Sequence, residues 1–244
     1  MGIRRRVGSV LVVGFALTVT SCTTPPSPPQ SSSSCPRSVA GGGSLIDWVN
    51  FVRWNGIEYV AGSVSSSVTL KQLGAVIATV HCRMEGSVLD SGYRPKDGDA
   101  AFLNPGTPLY GVNGYKASFR LAAWEDGRLT LFEADSNPAA RIGGDLLDIS
   151  AKVQYIGINS QQDGLTELAA IKDRAAVDAL VGTVLHAPVN QQLTDHSGAS
   201  YFIAFHLNDG TTVVRAYWPN TGELSRGIVL PQEFRQTIEQ ALGR

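Results

Sequence analysis

The chain has 244 residues, 43% of them hydrophobic, with 20 Lys and Arg set against 21 Asp and Glu. That apolar content is ordinary for a globular protein and provides for one large domain or two small ones. The balance of charge, with no Lys/Arg-rich run beyond Arg4, Arg5 and Arg6, leaves no electrostatic footprint for nucleic acid or for anionic lipid headgroups.

The three arginines precede an apolar run from Val7 to Val19 and then Thr20-Ser21-Cys22. About 13 to 15 apolar positions are too few for the ~20 that a membrane-spanning helix needs, so the segment reads as a secretory signal. Val19-Thr20-Ser21-Cys22 resembles the lipobox of bacterial lipoproteins. The resemblance implies a signal peptide over residues 1–21, cleavage before Cys22, and a diacylglycerol on the Cys22 sulfur. It also implies a mature protein held by its lipid anchor on the extracytoplasmic face of the cell membrane. One acyl chain binds a membrane marginally, whereas two or more hold a protein firmly. The alternatives are an ordinary secreted protein cut near Ser21 and an uncleaved anchor. Loss of residues 1–21 removes three basic and no acidic residues, leaving 17 basic against 21 acidic and a net charge of −4.

Residues 22–44 hold Pro25-Pro26-Ser27-Pro28-Pro29, four consecutive serines, Cys35-Pro36 and Gly41-Gly42-Gly43. So few apolar side chains cannot offset the entropy of ordering, and the stretch reads as a disordered spacer. Its ~20 residues span roughly 60 Å as polyproline helix or about 25 Å as a flexible coil. Once Cys22 is lipidated, Cys35 and Cys82 are the remaining thiols in an oxidising compartment. They either pair, tying the spacer to the folded part, or stay apart, with Cys82 as a small buried hydrophobe.

From residue 45 the punctuation is that of β-structure. Asn55-Gly56, Asp126-Gly127, Asp163-Gly164 and Asp209-Gly210 each separate β-prone runs and supply the positive φ angles of two-residue hairpin turns. Such turns pair Trp54 with Ile57, Arg53 with Glu58 and Val52 with Tyr59 in the first hairpin. In the second they pair Glu125 with Arg128, Leu121 with Phe132 and Arg120 with Glu133. Three opposite-charge pairs fall into register. A strand over Ala75 to Cys82, a short helical turn near Thr69 to Leu73 and the Pro/Gly-rich segment 104–110 complete a β-rich domain over 45–134, a small barrel or sandwich.

Asn137-Pro138 and Gly143-Gly144 mark a linker over 135–150. Beyond it, strands over 152–159 and 165–171 precede a helix capped by Asp173. Its stripe of Val177, Leu180, Val181, Val184 and Leu185 ends before Pro188. Strands over 200–207 and 211–218 follow, then a second helix opening at Pro231 and aligning Phe234, Ile238 and Leu242. The expected fold class is thus α+β: an N-terminal all-β part, then a ββαββα antiparallel sheet over 151–244 with both helices on one face.

Gly106-Thr107-Pro108-Leu109-Tyr110 and the stretch from Arg215 to Leu224, with Tyr217-Trp218-Pro219-Asn220-Thr221-Gly222 at its centre, resemble segments of uncharacterised actinobacterial lipoproteins. That resemblance implies no activity and transfers no catalytic residue. The sequence holds no G-x-S-x-G, H-E-x-x-H, P-loop, G-x-G-x-x-G or EF-hand motif. His81, His186, His196 and His206 lack ligand spacing, and His81 and Cys82, adjacent on a strand, point to opposite faces. Asp90, Asp97 and Asp99 share a polar loop that fits either calcium ligation or a solvated Asp-Gly-Asp turn. No cofactor and no metal is expected.

The hairpin around Asp209-Gly210 carries the most functional promise. A two-residue turn sets Phe205, Ile203 and Tyr201 against Val214, Ala216 and Trp218 on one face. It gathers Phe202, Ala204, His206, Val213, Arg215 and Tyr217 on the other. One face packs under the helices, and the face of Phe202, His206, Arg215 and Tyr217 then needs a cover, either the β-rich domain or a ligand. A three-residue turn with a glycine bulge would shift that pairing. The expected function is a non-enzymatic binding or regulatory module of the cell envelope, recognising an envelope protein, a glycan or a small ligand. The alternative is a hydrolase of envelope material, which a cleft with two carboxylates or a Ser–His pair within hydrogen-bond reach would favour.

Overall fold

The computed structural model describes Cys35 and residues 46–62, 69–192, 196–198 and 200–244. The lipobox-like signal, Cys22 and nearly all of the spacer lie outside these residues. Among the described residues no helix is long and apolar enough to cross a membrane.

Two sheets and two α-helices make up a mostly β structure within one compact unit, Ser33–Arg244. The first sheet has eight strands: β1 (Phe51–Trp54), β2 (Ile57–Ala61), β3 (Leu73–Thr79), β4 (Cys82–Arg83), β5 (Asp99–Ala100), β6 (Pro108–Val112), β7 (Arg120–Glu125) and β8 (Arg128–Ser136). Their spatial order is β3-β6-β7-β8-β2-β1-β5-β4. The strands at its two ends, β3 and β4, are separated in the chain only by Val80 and His81. Two residues span at most ~7 Å, so the sheet must curl until its edges meet, as in a small barrel. Val52, Tyr59, Val80, Leu109, Leu121 and Phe132 fill its interior. The expected strand over Ala75–Cys82 is therefore two strands with a corner between them. Cys82, at that corner, is disulfide-bonded to Cys35, with Cα atoms 5.0 Å apart.

The second sheet has the order β10-β9-β11-β12-β13-β14. It comprises β9 (Val153–Asn159), β10 (Glu167–Ile171), β11 (Tyr201–Leu207), β12 (Thr212–Trp218), β13 (Glu223–Leu224) and β14 (Ile228–Val229). The helices are α1 (Arg174–His186), between β10 and β11, and α2 (Gln232–Ala241), after β14. The element order thus departs from ββαββα by one short hairpin, β13–β14, whose two-residue strands carry too little pattern to be read in sequence. Asp173 caps α1 by accepting from the Ala176 amide at 2.9 Å. Val177, Leu180, Val181 and Val184 of α1, with Phe234 and Ile238 of α2, share a core with Ile156, Ile158, Ile203, Phe205 and Tyr217 of the sheet. Leu146, Leu147 and Ile149 enter the same core, so the segment between the sheets is packed rather than free.

The turns divide in two. At Asn55-Gly56 and Asp126-Gly127 both residues have positive φ (52° and 72°, 51° and 74°), and the pairings fall where expected. At Asp163-Gly164 and Asp209-Gly210 only the glycine does. Each of those aspartates is committed elsewhere: Asp163 accepts from the Leu165 and Thr166 amides, and Asp209 from the Thr211 amide and hydroxyl. The last hairpin turns through Asn208-Asp209-Gly210 and the register moves by one residue. Phe205 pairs with Val213, Ile203 with Arg215 and Tyr201 with Tyr217. The expected face of Phe202, His206, Arg215 and Tyr217 is therefore split. Phe202 and His206 stay together, while Arg215 and Tyr217 join Ile203 and Phe205 on the face that carries the helix core.

Candidate functional site

Buried charge fastens the two sheets to each other. Arg120 of β7 is fully buried and donates to Glu133 Oε1 of β8 at 2.7 Å and to Thr211 Oγ1 at 3.0 Å. Its guanidinium also lies 3.6 Å from Asp209 Oδ2. Arg215 crosses from β12 to Glu133 Oε2 at 3.3 Å and to the Ala134 carbonyl at 3.4 Å. Arg215 is thus a contact between the sheets, and Tyr217 sits edge-on to Phe234 under α2, where burial pushes its hydroxyl up to about 12. Tyr217 is closed off by the helix core, whereas Arg215 keeps an edge on a hollow between the sheets.

Beside this fastening a polar cleft of about 280 Å³ is lined by Asp135, Ser136, Asn190, His196, Glu223 and Arg226. A second hollow of about 220 Å³ adjoins it and shares Asp135 and Arg226. Two pairs organise the cleft. Arg226 forms an ion pair with Asp135 at the end of β8. Burial raises the Asp135 carboxyl above its ordinary value, against the opposing charges of Arg226 and Arg215. His196 Nε2 meets Glu223 Oε2 at 3.0 Å, and its ring stacks on Trp218 with centroids 4.0 Å apart. Glu223 is 2% exposed, and its other oxygen accepts from the Gly227 amide at 3.3 Å.

The β13–β14 hairpin places these groups at a conformational cost. Arg226 has φ 79°, a region that L side chains rarely adopt and that costs on the order of 1–3 kcal/mol. Gly227 follows at φ 77°, and a Cβ there would lie 2.3 Å from the Asn190 carbonyl. The strained turn holds the Arg226 guanidinium over Asp135 and the Gly227 amide on Glu223. The chain matches no protein-family model, no curated protein and no solved structure.

Of the four histidines, His81 and His186 are exposed, while His196 and His206 stack on aromatic rings. Asp97 accepts from the Gly56 amide, Asp90 from Gly92, and the buried Asp99 from the Lys96 amide and the Tyr93 hydroxyl. Those three carboxylates close turns separately. No group of three or more His, Cys, Asp or Glu positioned for a metal occurs among the described residues. Asp135, His196, Glu223 and Arg226 are not legible as a site in sequence because three separate segments supply them: the end of β8, the loop before β11 and the β13–β14 hairpin. The one local trace is Arg226-Gly227 ahead of the apolar Ile228-Val229, a turn signal too weak to stand alone.

Proposed function

We propose that the protein is a lipid-anchored, extracytoplasmic binding module of the cell envelope, and that its ligand occupies the cleft of Asp135, His196, Glu223 and Arg226. The observation that carries the second half is the pairing of every charged group in that cleft. Asp135 is ion-paired with Arg226, and Glu223 is hydrogen-bonded to His196 and to the Gly227 amide, so the cleft offers charge of both signs in fixed geometry. Such a lining suits a polar ligand bearing donors and acceptors, such as a peptide segment, a glycan or a small zwitterion. In this reading both helices cover one face of the second sheet, completing the ββαββα plan around the added hairpin and leaving the opposite face to ligands. The anchor rests on Val19-Thr20-Ser21-Cys22 and the basic, apolar leader before it.

Two measurements test the proposal. Cys22→Ala should move the protein out of the detergent phase and abolish acyl labelling; unchanged partitioning refutes the anchor. Purified protein should show saturable thermal shifts with envelope peptides or glycans, lost in Glu223→Gln. Shifts that persist unaltered in that variant place the ligand elsewhere.

A second reading has one specific observation behind it. His196 is on the buried Glu223 carboxylate, the arrangement that orients a general base, and Asp135, whose pKa burial raises, is a second carboxylate in the same cleft. Hydrolysis of envelope material that His196→Gln abolishes, with folding intact, would favour an enzyme over a binding module.

A further inference from the structure

A separate cluster lies on the other side of the second sheet from the helix core. The pairings Ala204 with Gly157 and His206 with Tyr155 put these residues side by side on β9 and β11, with Glu167 of β10 opposite Asn159. Gly157 has no side chain, and three polar atoms lean over the position that a Cβ would take. Glu167 Oε2 lies 2.8 Å from that point, His206 Nε2 3.2 Å and Asn159 Oδ1 3.3 Å.

Two of the three are buried without a protein hydrogen-bond partner: Asn159 Oδ1 and His206 Nε2. Asn159 is 7% exposed, and its Nδ2 donates to the Gly164 carbonyl at 2.9 Å, which turns its oxygen toward Gly157. His206 meets Thr212 Oγ1 through Nδ1 at 3.1 Å, and its ring is stacked on Tyr155 with centroids 4.0 Å apart. In the tautomer whose Nδ1–H donates to Thr212, Nε2 is an acceptor. Burial lowers the pKa of His206, against the pull of Glu167, and keeps the ring neutral. The cluster thus presents one carboxylate oxygen, one amide oxygen and one imidazole nitrogen, all acceptors, with a charge of one unit. A buried acceptor without a donor costs ~1–3 kcal/mol, and two are held here side by side.

We propose that this cradle binds a primary ammonium group, whose three N–H donors match the three acceptors and whose charge is met by Glu167. Spacing separates this from metal ligation. Two ligands on a metal at ~2.1 Å and roughly 90–110° lie about 3.0–3.4 Å apart. Two acceptors of one ammonium at ~2.8 Å lie about 4.0–4.6 Å apart. Glu167 Oε2 and His206 Nε2 are 3.9 Å apart, at the ammonium end. A methyl at Gly157 would collide with Glu167, so an alanine there displaces the carboxylate from the cluster. The chain's own Lys172 is directed at the Tyr155 ring, 5.5 Å from its centroid. Peptide N-termini, lysine side chains and amino sugars all carry the group.

The test is a titration of the full chain, followed by the ring resonances of His206, with glycinamide, n-butylammonium and glucosamine as probes. N-acetylglycinamide is the neutral control and Zn²⁺ the metal arm. The expected result is a saturable shift with at least one amine and none with the acetylated control, the responding amine identifying the source of the group. Binding should weaken at least tenfold in Glu167→Gln, a replacement at a half-exposed position that preserves folding, and vanish in Gly157→Ala. No response to any amine, a response unchanged in Glu167→Gln, or saturation by Zn²⁺ in place of the amines would overturn the proposal. None of these outcomes touches Asp135, His196, Glu223 or Arg226, so the reading of the cleft stands or falls separately.

Discussion

Replacing Arg120 by Met is the sharpest test of how the two sheets are joined. The guanidinium is fully buried, 2.7 Å from Glu133, 3.6 Å from Asp209 and 4.3 Å from the Tyr115 ring centroid. Removing one member of a buried ion pair typically costs ~3–5 kcal/mol, because its partner remains desolvated without an opposite charge. The lower end applies here. Glu133 keeps Arg215 at 3.3 Å, and Asp209 keeps the Tyr115 hydroxyl at 2.7 Å and the Thr211 amide at 2.9 Å. The expected loss is about 3 kcal/mol, read from the urea midpoint at pH 7 by tryptophan fluorescence. Arg120→Met combined with Glu133→Gln removes the stranded carboxylate as well and should cost at least ~1 kcal/mol less than the sum of the single changes. A loss below ~1 kcal/mol for Arg120→Met, or strict additivity in the double variant, would refute the view that this network fastens the sheets.

Three further outcomes follow from the geometry. Cys35→Ser opens a link between positions 47 apart in sequence and should cost about 2–4 kcal/mol under oxidising conditions, but nothing when wild type and variant are both reduced; equal stabilities under oxidation would refute the link. Arg226→Gly relieves a positive φ worth on the order of 1–3 kcal/mol and forfeits a half-exposed ion pair worth about 0–1, so stability should hold or rise while ligand binding in the cleft fails. A drop of more than ~1 kcal/mol in its chemical denaturation midpoint would contradict this. The pH dependence tests His206, whose pKa burial lowers from 6.5 against the raising influence of Glu167. Below pH 6.5 the unfolded chain binds this proton more readily than the folded one. The contribution of His206 to stability is therefore complete above that pH and declines as pH falls toward the folded value. His206→Phe, which keeps a stacked ring, should remove this part of the acid slope, and an identical slope in both proteins would count against it.

What the sequence by itself determined is local. Asn55-Gly56 and Asp126-Gly127 specify two-residue turns, and with the turn set, the charge pairs Arg53–Glu58 and Arg120–Glu133 have one register. Asp173 and the stripe from Val177 to Val184 specify α1 for the same reason, since cap and period both act within a few residues. Tertiary structure decided the rest. Asp209 has the turn-forming sequence of Asp126, yet its carboxylate also meets Tyr115 of the β6–β7 loop and Arg120 of β7; the turn is one residue longer and Arg215 passes to the other face. That contact spans 94 positions in the chain for Tyr115, beyond the reach of any local pattern. The cleft is assembled in the same way, from a strand end, a loop and a hairpin of two-residue strands. The cradle over Gly157 needs Glu167, Asn159 and His206 from three neighbouring strands. Turn type and helix face depend on neighbours in sequence, whereas a site depends on which distant segments burial brings together, and only the folded chain carries that information.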